Sequence, residues 1–159
     1  MTTTTNETGV EVLDDLPMVR ITREFDAPPD KVFRAHVDPE LIVRWLGPHR
    51  HEMRLDTWDC RTGGSYRYVH ASDGEEYWFR GCFHDVRPDE MIVQTFTFEG
   101  MPDSVALETM RLGPLPGGRT RLVVESLVDD FEARDAFVAS GMEQGVSEGY
   151  ERLDDLLAG

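Results

Sequence analysis

Residues 131–157 read FEARDAFVASGMEQGVSEGYERLDDLL, and the reading of this stretch decides the fold. It contains no proline and is rich in Ala, Glu, Arg and Leu, so propensity predicts one continuous helix. Met142, Val146, Tyr150, Leu153 and Leu157 recur at steps of three and four, which makes one apolar stripe. Asp129, Asp130 and Glu132 stand at its start, where the helix dipole favours negative charge. Against this pattern, Gly141, Gly145 and Gly149 repeat every four residues, each costing about 0.8–1 kcal/mol against alanine inside a helix. Such a repeat implies that something passes close to the helix backbone. Three readings are open: a bare groove where the helix crosses its own sheet, room for a ligand between the two, or contact with a second copy. A membrane dimer motif is excluded, because Glu143, Glu148, Glu151 and Arg152 interrupt any apolar run.

Outward from the helix, the chain is mostly β. Residues 1–17 begin MTTTTNETG and are expected to form a disordered leader, with Val10, Val12, Leu13 and Leu16 at most docking weakly. Val19, Ile21 and Phe25 alternate in a first strand. A helix over 29–37 follows, burying Val32, Phe33 and His36, and Asp38-Pro39 opens a second one ended by Gly47-Pro48. Then come strands: Met53, Leu55 and Thr57 in one, and Tyr66 and Tyr68 in the next. Asp73-Gly74 closes a hairpin, and Tyr77, Phe79, Gly81 and Phe83 share a face. Val86 lies on the opposite parity, which predicts a bulge near His84 or Asp85. Strands over 91–98, 104–112 and 120–127 complete the series, with GPLPGG (113–118) as a hairpin loop. One strand, two short helices, six antiparallel strands and a long helix give an α+β helix-grip fold, about seven strands curved around the last helix.

At 159 residues the chain is one domain with a core of its own. A net charge of −15 argues against nucleic acid and anionic membranes as partners. No stretch reaches membrane-spanning length, so no membrane insertion is expected. The first residues hold neither a basic region nor an apolar run, so a cytoplasmic protein is expected. Cys60 and Cys82, outside any metal spacing, read as free thiols. No nucleophile elbow, phosphate loop or dinucleotide fingerprint is present, and neither cofactor nor metal is expected. The chain is read as monomer or homodimer.

Four motifs carry a family resemblance: TREFDAPPDKVFRAHVDPELIVRWLGP (22–48), DCRTGGSYRYV (59–69), GCFHDVRPDEMIVQTF (81–96) and GMEQG (141–145). In this order they resemble the SRPBCC, or START-like, superfamily, and most of all its branch of bacterial activator-of-Hsp90-ATPase homologues. The resemblance covers residues 18–157 and implies a hydrophobic cavity between helix and sheet. It implies binding of an apolar, aromatic or polycyclic small molecule; a minority of members instead catalyse cyclisation, aromatisation or dehydration without a cofactor. The eukaryotic namesake stimulates a chaperone ATPase but also uses a separate domain not found in this sequence, so that role is the third expectation. Leu46, Gln94 and Val146 stand where aromatics are usual, which implies a more polar or differently shaped cavity. The match also places GMEQG over the concave face of the sheet.

Strand parity matched to that pattern turns Tyr66, Tyr68, Phe79, Phe83, Gln94, Phe96, Met110 and Val124 inward. With Trp45, Met142 and Gly145, all of these but Val124 form the expected ligand-binding set. Glu108 falls on the same parity, where an unpaired carboxylate is costly and a raised pKa would make an acid/base catalyst. Its other readings are a salt bridge to Arg111 or Arg121, or a parity that leaves it in solvent. His36 is the second catalytic candidate, with a hydrogen-bonded wall residue as its alternative. His49 and His51 read as exposed loop, His70 and His84 carry no distinguishing signal, and Arg61 is expected to pair with Asp59 or a helix C-terminus rather than with a ligand.

Overall fold

Alternation of polar and apolar residues becomes strand pairing in the computed structural model, which describes residues 6–159. The short strand β1 (Gly9–Val12) pairs with β2 (Met18–Phe25), on which Val19, Ile21, Arg23 and Phe25 are buried on one face. Helix α1 (Pro29–Val37) follows, with Pro28 and Pro29 at its start, where a missing N–H costs nothing. Asp38 caps α2 (Pro39–Ile42) by accepting from the Glu40 amide at 2.9 Å. Six strands then form a meander: β3 (Glu52–Trp58), β4 (Ser65–Ser72), β5 (Glu75–Arg87), β6 (Met91–Phe98), β7 (Ala106–Leu115) and β8 (Arg119–Leu127). Their order is β1-β2-β8-β7-β6-β5-β4-β3, antiparallel throughout. The last strand therefore returns beside β2 before the chain enters α3 (Phe131–Ala139) and α4 (Met142–Ala158), which pack on the sheet. This is the α+β helix-grip arrangement.

The predicted bulge is present: between Phe83 and Asp85 the β5–β6 register shifts, leaving His84 unpaired. Four expectations are revised. Gly9–Val12, inside the expected leader, adds an eighth strand, while residues 1–5 lie outside the described residues. A second bulge, between Leu55 and Thr57, turns Trp58 inward and leaves Thr57 exposed. The β7–β8 pairing runs on to Leu115 and Arg119, so only residues 116–118 form the turn. The helix over 131–157 is two helices. Gly141 sits at φ +86°, outside helical geometry, and separates α3 from α4.

The glycine repeat thus has no single cause. Gly141 is the break. A Cβ on Gly149 would stand 3.1 Å from the Trp45 carbonyl oxygen and 3.3 Å from the Gly47 amide, so Gly149 lets α4 touch the α2–β3 loop. Gly145 faces Pro48 of that same loop, whose Cδ would be 3.7 Å from an added Cβ. The close neighbour of the helix is this loop rather than the sheet.

One end of the grip is sealed. Phe25, Val32, Leu122 and Leu153 are buried there, and Tyr150 packs edge-on to Phe25 and stacks on Trp45, with centroids 5.4 and 5.9 Å apart. Arg23, 2% exposed, reaches up from β2 to hold Asp154 of α4 through two bonds of 2.7 Å.

Candidate functional site

Cross-strand register aligns Val19, Ser126, Glu108, Gln94 and Phe83 over β2, β8, β7, β6 and β5. Residues level with each other in an antiparallel sheet share a face, and Val19 and Phe83 are buried in the core beneath the helix. Glu108 and Gln94 therefore stand on the concave side. Their neighbours hold them by hydrogen bonds. Ser126 Oγ donates to Glu108 Oε2 at 2.6 Å, and Gln94 Nε2 donates to Glu108 Oε1 at 3.4 Å and to Tyr66 Oη at 3.2 Å. The alternative salt bridge is not formed: Arg111 pairs with Glu125 and Arg121 with Glu24, both on the convex side.

The row ends in a local opening of the sheet. The β5–β6 pairing skips Gly81 and Cys82, and side chains take over the missing bonds. Tyr66 Oη donates to the Thr95 carbonyl at 2.6 Å, while Thr95 Oγ1 accepts from the Cys82 amide at 2.9 Å. Only glycine fits at 81, since a Cβ there would overlap the Thr95 oxygen and lie 2.6 Å from Tyr66 Oη.

Burial pushes the Glu108 carboxyl above the usual carboxylate range, against the opposing pull of Ser126 and Gln94. Yet Glu108 is not sealed off; it is half-buried, as are Gln94, Phe79, Phe96, Val124 and Met142. Glu108 is thus desolvated by its surroundings while part of it still meets solvent. Tyr68 and Tyr150, 7% and 6% exposed, point hydroxyls that have no partner among the described residues and are not closed off from solvent. Burial first, and the nearby Glu108 carboxylate further, push both phenols up. Tyr66, Tyr68, Phe79 and Phe96 continue as a stacked aromatic wall, with centroids 5.9, 5.4 and 5.3 Å apart.

Of the expected binding set, Tyr66, Tyr68, Phe79, Gln94 and Phe96 come together along this wall with Glu108, and Phe83 and Met110 are buried beside them. Met142 packs partly buried on the core. Trp45 belongs to the sealed end, its Nε1 donating to the Ala35 carbonyl at 2.9 Å. Gly145 borders Pro48, not the sheet. His36 donates from Nδ1 to the Val32 carbonyl at 2.8 Å and packs edge-on to Trp45; burial pulls its pKa down to about 4, so it is neutral near pH 7. Arg61 pairs with Asp59 at 3.0 Å.

Ser126 and Tyr150 are site residues that sequence reading passes over. Ser126 is two residues from Val124, so the same parity already turns it inward. His51 and His70 are a further revision: half-buried and buried respectively, their rings lie 5.8 Å apart, and His51 also stacks on Tyr77. Cys60 and Cys82 are free, and burial pushes the Cys60 thiol up to about 12. No three His, Cys, Asp or Glu side chains among the described residues gather as a metal site would require.

Residues 26–158 match the family model described as Activator of Hsp90 ATPase homolog 1-like protein. The chain belongs to this family. Solved structures of the same fold include a Rhodobacter sphaeroides protein, 26% identical at TM-score 0.85, covering 94% of this chain and 97% of that one. Protein Ms6760 from Mycobacterium smegmatis is 25% identical at TM-score 0.86, covering 95% and 96%. An Arthrobacter aurescens protein is 26% identical at TM-score 0.86, covering 94% and 91%. No curated protein matches the sequence. Membership in the Activator of Hsp90 ATPase homolog 1-like family supports a ligand-binding helix-grip fold.

Proposed function

We propose that this chain is a cytoplasmic bacterial binding protein for an aromatic or polycyclic small molecule, held between the concave sheet face and α4. The ligand-binding domain in this reading is 18–159. One observation carries it: Glu108, Gln94, Phe79, Phe96 and Val124 stay half-exposed beside two phenol hydroxyls that lack partners among the described residues, while Phe25, Leu122 and Leu153 at the other end are buried. Tyr68, Phe79 and Phe96 supply flat apolar contact, and Gln94 and Glu108 orient the ligand. Native mass spectrometry of protein purified from its own host is expected to show a bound mass that is lost on denaturation. The reading fails if no mass is retained and no polycyclic probe alters Trp45 or Trp58 fluorescence.

The raised pKa of Glu108 favours a second reading, cofactor-independent cyclisation, aromatisation or dehydration with Glu108 as proton carrier. Glu108→Gln would then abolish turnover while leaving binding in place. His36, neutral and committed at Nδ1, fits the wall of the site better than the proton-transfer role. The family's name favours chaperone ATPase activation as a third reading, and a direct assay of Hsp90 ATPase stimulation by the purified chain decides it.

A further inference from the structure

Glu108 receives bonds from Ser126 and Gln94 and forms no ion pair with any Arg, Lys or His among the described residues. Arg23, the buried guanidinium of the same sheet face, is bound to both carboxylate oxygens of Asp154. This half-buried carboxylate thus has two hydrogen-bond donors and no counter-charge among the described residues. The electron-rich ring of Tyr66 is joined to it through Gln94, Tyr68 stacks on Tyr66, and the charge of Glu108 helps to raise the Tyr150 phenol. A carboxylate beneath aromatic rings is the chemistry that recognises an organic cation: the ammonium pairs with the carboxylate and is attracted by the rings. A protonated amine also donates up to three hydrogen bonds, and the hydroxyl oxygens of Tyr68 and Tyr150 are free to accept them. The overall charge of −15 draws cations toward the protein.

We propose that the small molecule held in the grip is an aromatic amine cation, whose ammonium pairs with Glu108 while its rings lie along Tyr68, Phe79 and Phe96. This rests on the small-molecule reading above and specifies the ligand's charge. An anionic ligand is disfavoured, because the uncompensated Glu108 carboxylate would repel it and the guanidinium of Arg23 is already paired with Asp154. Binding also supplies the missing counter-charge, so it drives ionisation of Glu108 and is coupled to pH. The free carboxyl holds its proton above the usual range, and amine affinity therefore rises with pH until Glu108 is ionised, then levels off.

Three probes with one ring system test this: 1-naphthylmethylamine, 1-naphthalenemethanol and 1-naphthoate, titrated against Trp fluorescence in moderate salt. The amine is expected to bind about tenfold tighter than the alcohol near pH 7.5, as one charge-assisted contact allows, and the naphthoate weakest. Between pH 5 and 8 amine affinity should climb while alcohol affinity stays flat. Glu108→Gln should erase both the preference and the slope. Equal binding of amine and alcohol, or a preference unchanged in Glu108→Gln, overturns the cation proposal and leaves the small-molecule reading standing. If none of the probes binds wild-type protein, the cation proposal fails, and the small-molecule reading fails with it when native mass spectrometry also shows no retained mass. The pH series needs no variant, so a misfolded Glu108→Gln would not shield the proposal.

Discussion

A methyl group at residue 81 would sit where the Tyr66 hydroxyl reaches the Thr95 carbonyl, and neither neighbour can yield without giving up a bond. Gly81→Ala is therefore expected to destabilise the fold by about 1–3 kcal/mol, the usual cost of overpacking, read by urea denaturation. Tyr66→Phe should fall in the same range, because it removes the donor to the half-buried Thr95 carbonyl and the acceptor for Gln94. His36 and His70 govern the acid limb. Burial pulls both to about 4, with His51 and Arg152 adding to the effect at His70. Each is neutral when folded and titrates near 6.5 when unfolded. Their contribution to stability is thus complete above about pH 6.5 and is lost as pH falls toward 4. The unfolding midpoint in urea should drop across that window, and His70→Gln should flatten the slope. Around His70 and the neighbouring His51 stand Arg50, Asp73, Tyr77, Glu148 and Arg152.

Among the elements, the two-part C-terminal helix offers the sharpest contrast between similar substitutions. Gly141→Ala meets open space but forces a side chain into φ +86°, so the expected cost is about 1–2 kcal/mol of backbone strain. Gly149→Ala keeps helical geometry and gains propensity, yet its methyl would press on the backbone of Trp45 and Gly47. Because backbone cannot swing aside as a long side chain does, net destabilisation is expected there too, visible in the thermal midpoint. Strand parity placed Tyr66, Tyr68, Phe79, Gln94 and Glu108 correctly because a period of two is intrinsic to an extended chain. The bulge at His84 was legible from the parity jump between Phe83 and Val86. The bulge before Thr57 was not, since Leu55 and Thr57 keep alternation and only contact with Tyr66 and Phe83 shows Trp58 turned inward. The helix break was hidden for a similar reason: one glycine at φ +86° and two at ordinary helical angles look identical in a sequence. Ser126 escaped notice because its importance comes from Glu108 alongside, a tertiary fact.

For the whole molecule, the excess of acid sets the response to salt. Ion pairs such as Arg20–Glu11, Arg54–Glu76 and Arg87–Asp85 are largely exposed and contribute little each. Repulsion from a net charge of −15 acts over the entire surface. Screening should relieve more repulsion than attraction, so the thermal midpoint is expected to rise as sodium chloride increases from about 10 to 300 mM, where the Debye length falls below about 10 Å. A midpoint that falls instead would show the pairs to be dominant. No helix among the described residues is long and apolar enough to cross a membrane.

No residue of α3 is buried; Phe131 and Val138 are exposed, and Arg134 fastens the helix through the Leu13 carbonyl. Two turns held so lightly can detach and re-form many times while β2, β8 and α4 keep their packing. Amide exchange over 131–139 should accordingly be fast beside that of α4. If a bound guest leaves by this side, its residence time is set by how often α3 lifts and not by the lifetime of the fold, and a tether from α3 to β1 would lengthen that stay without adding a contact to the guest.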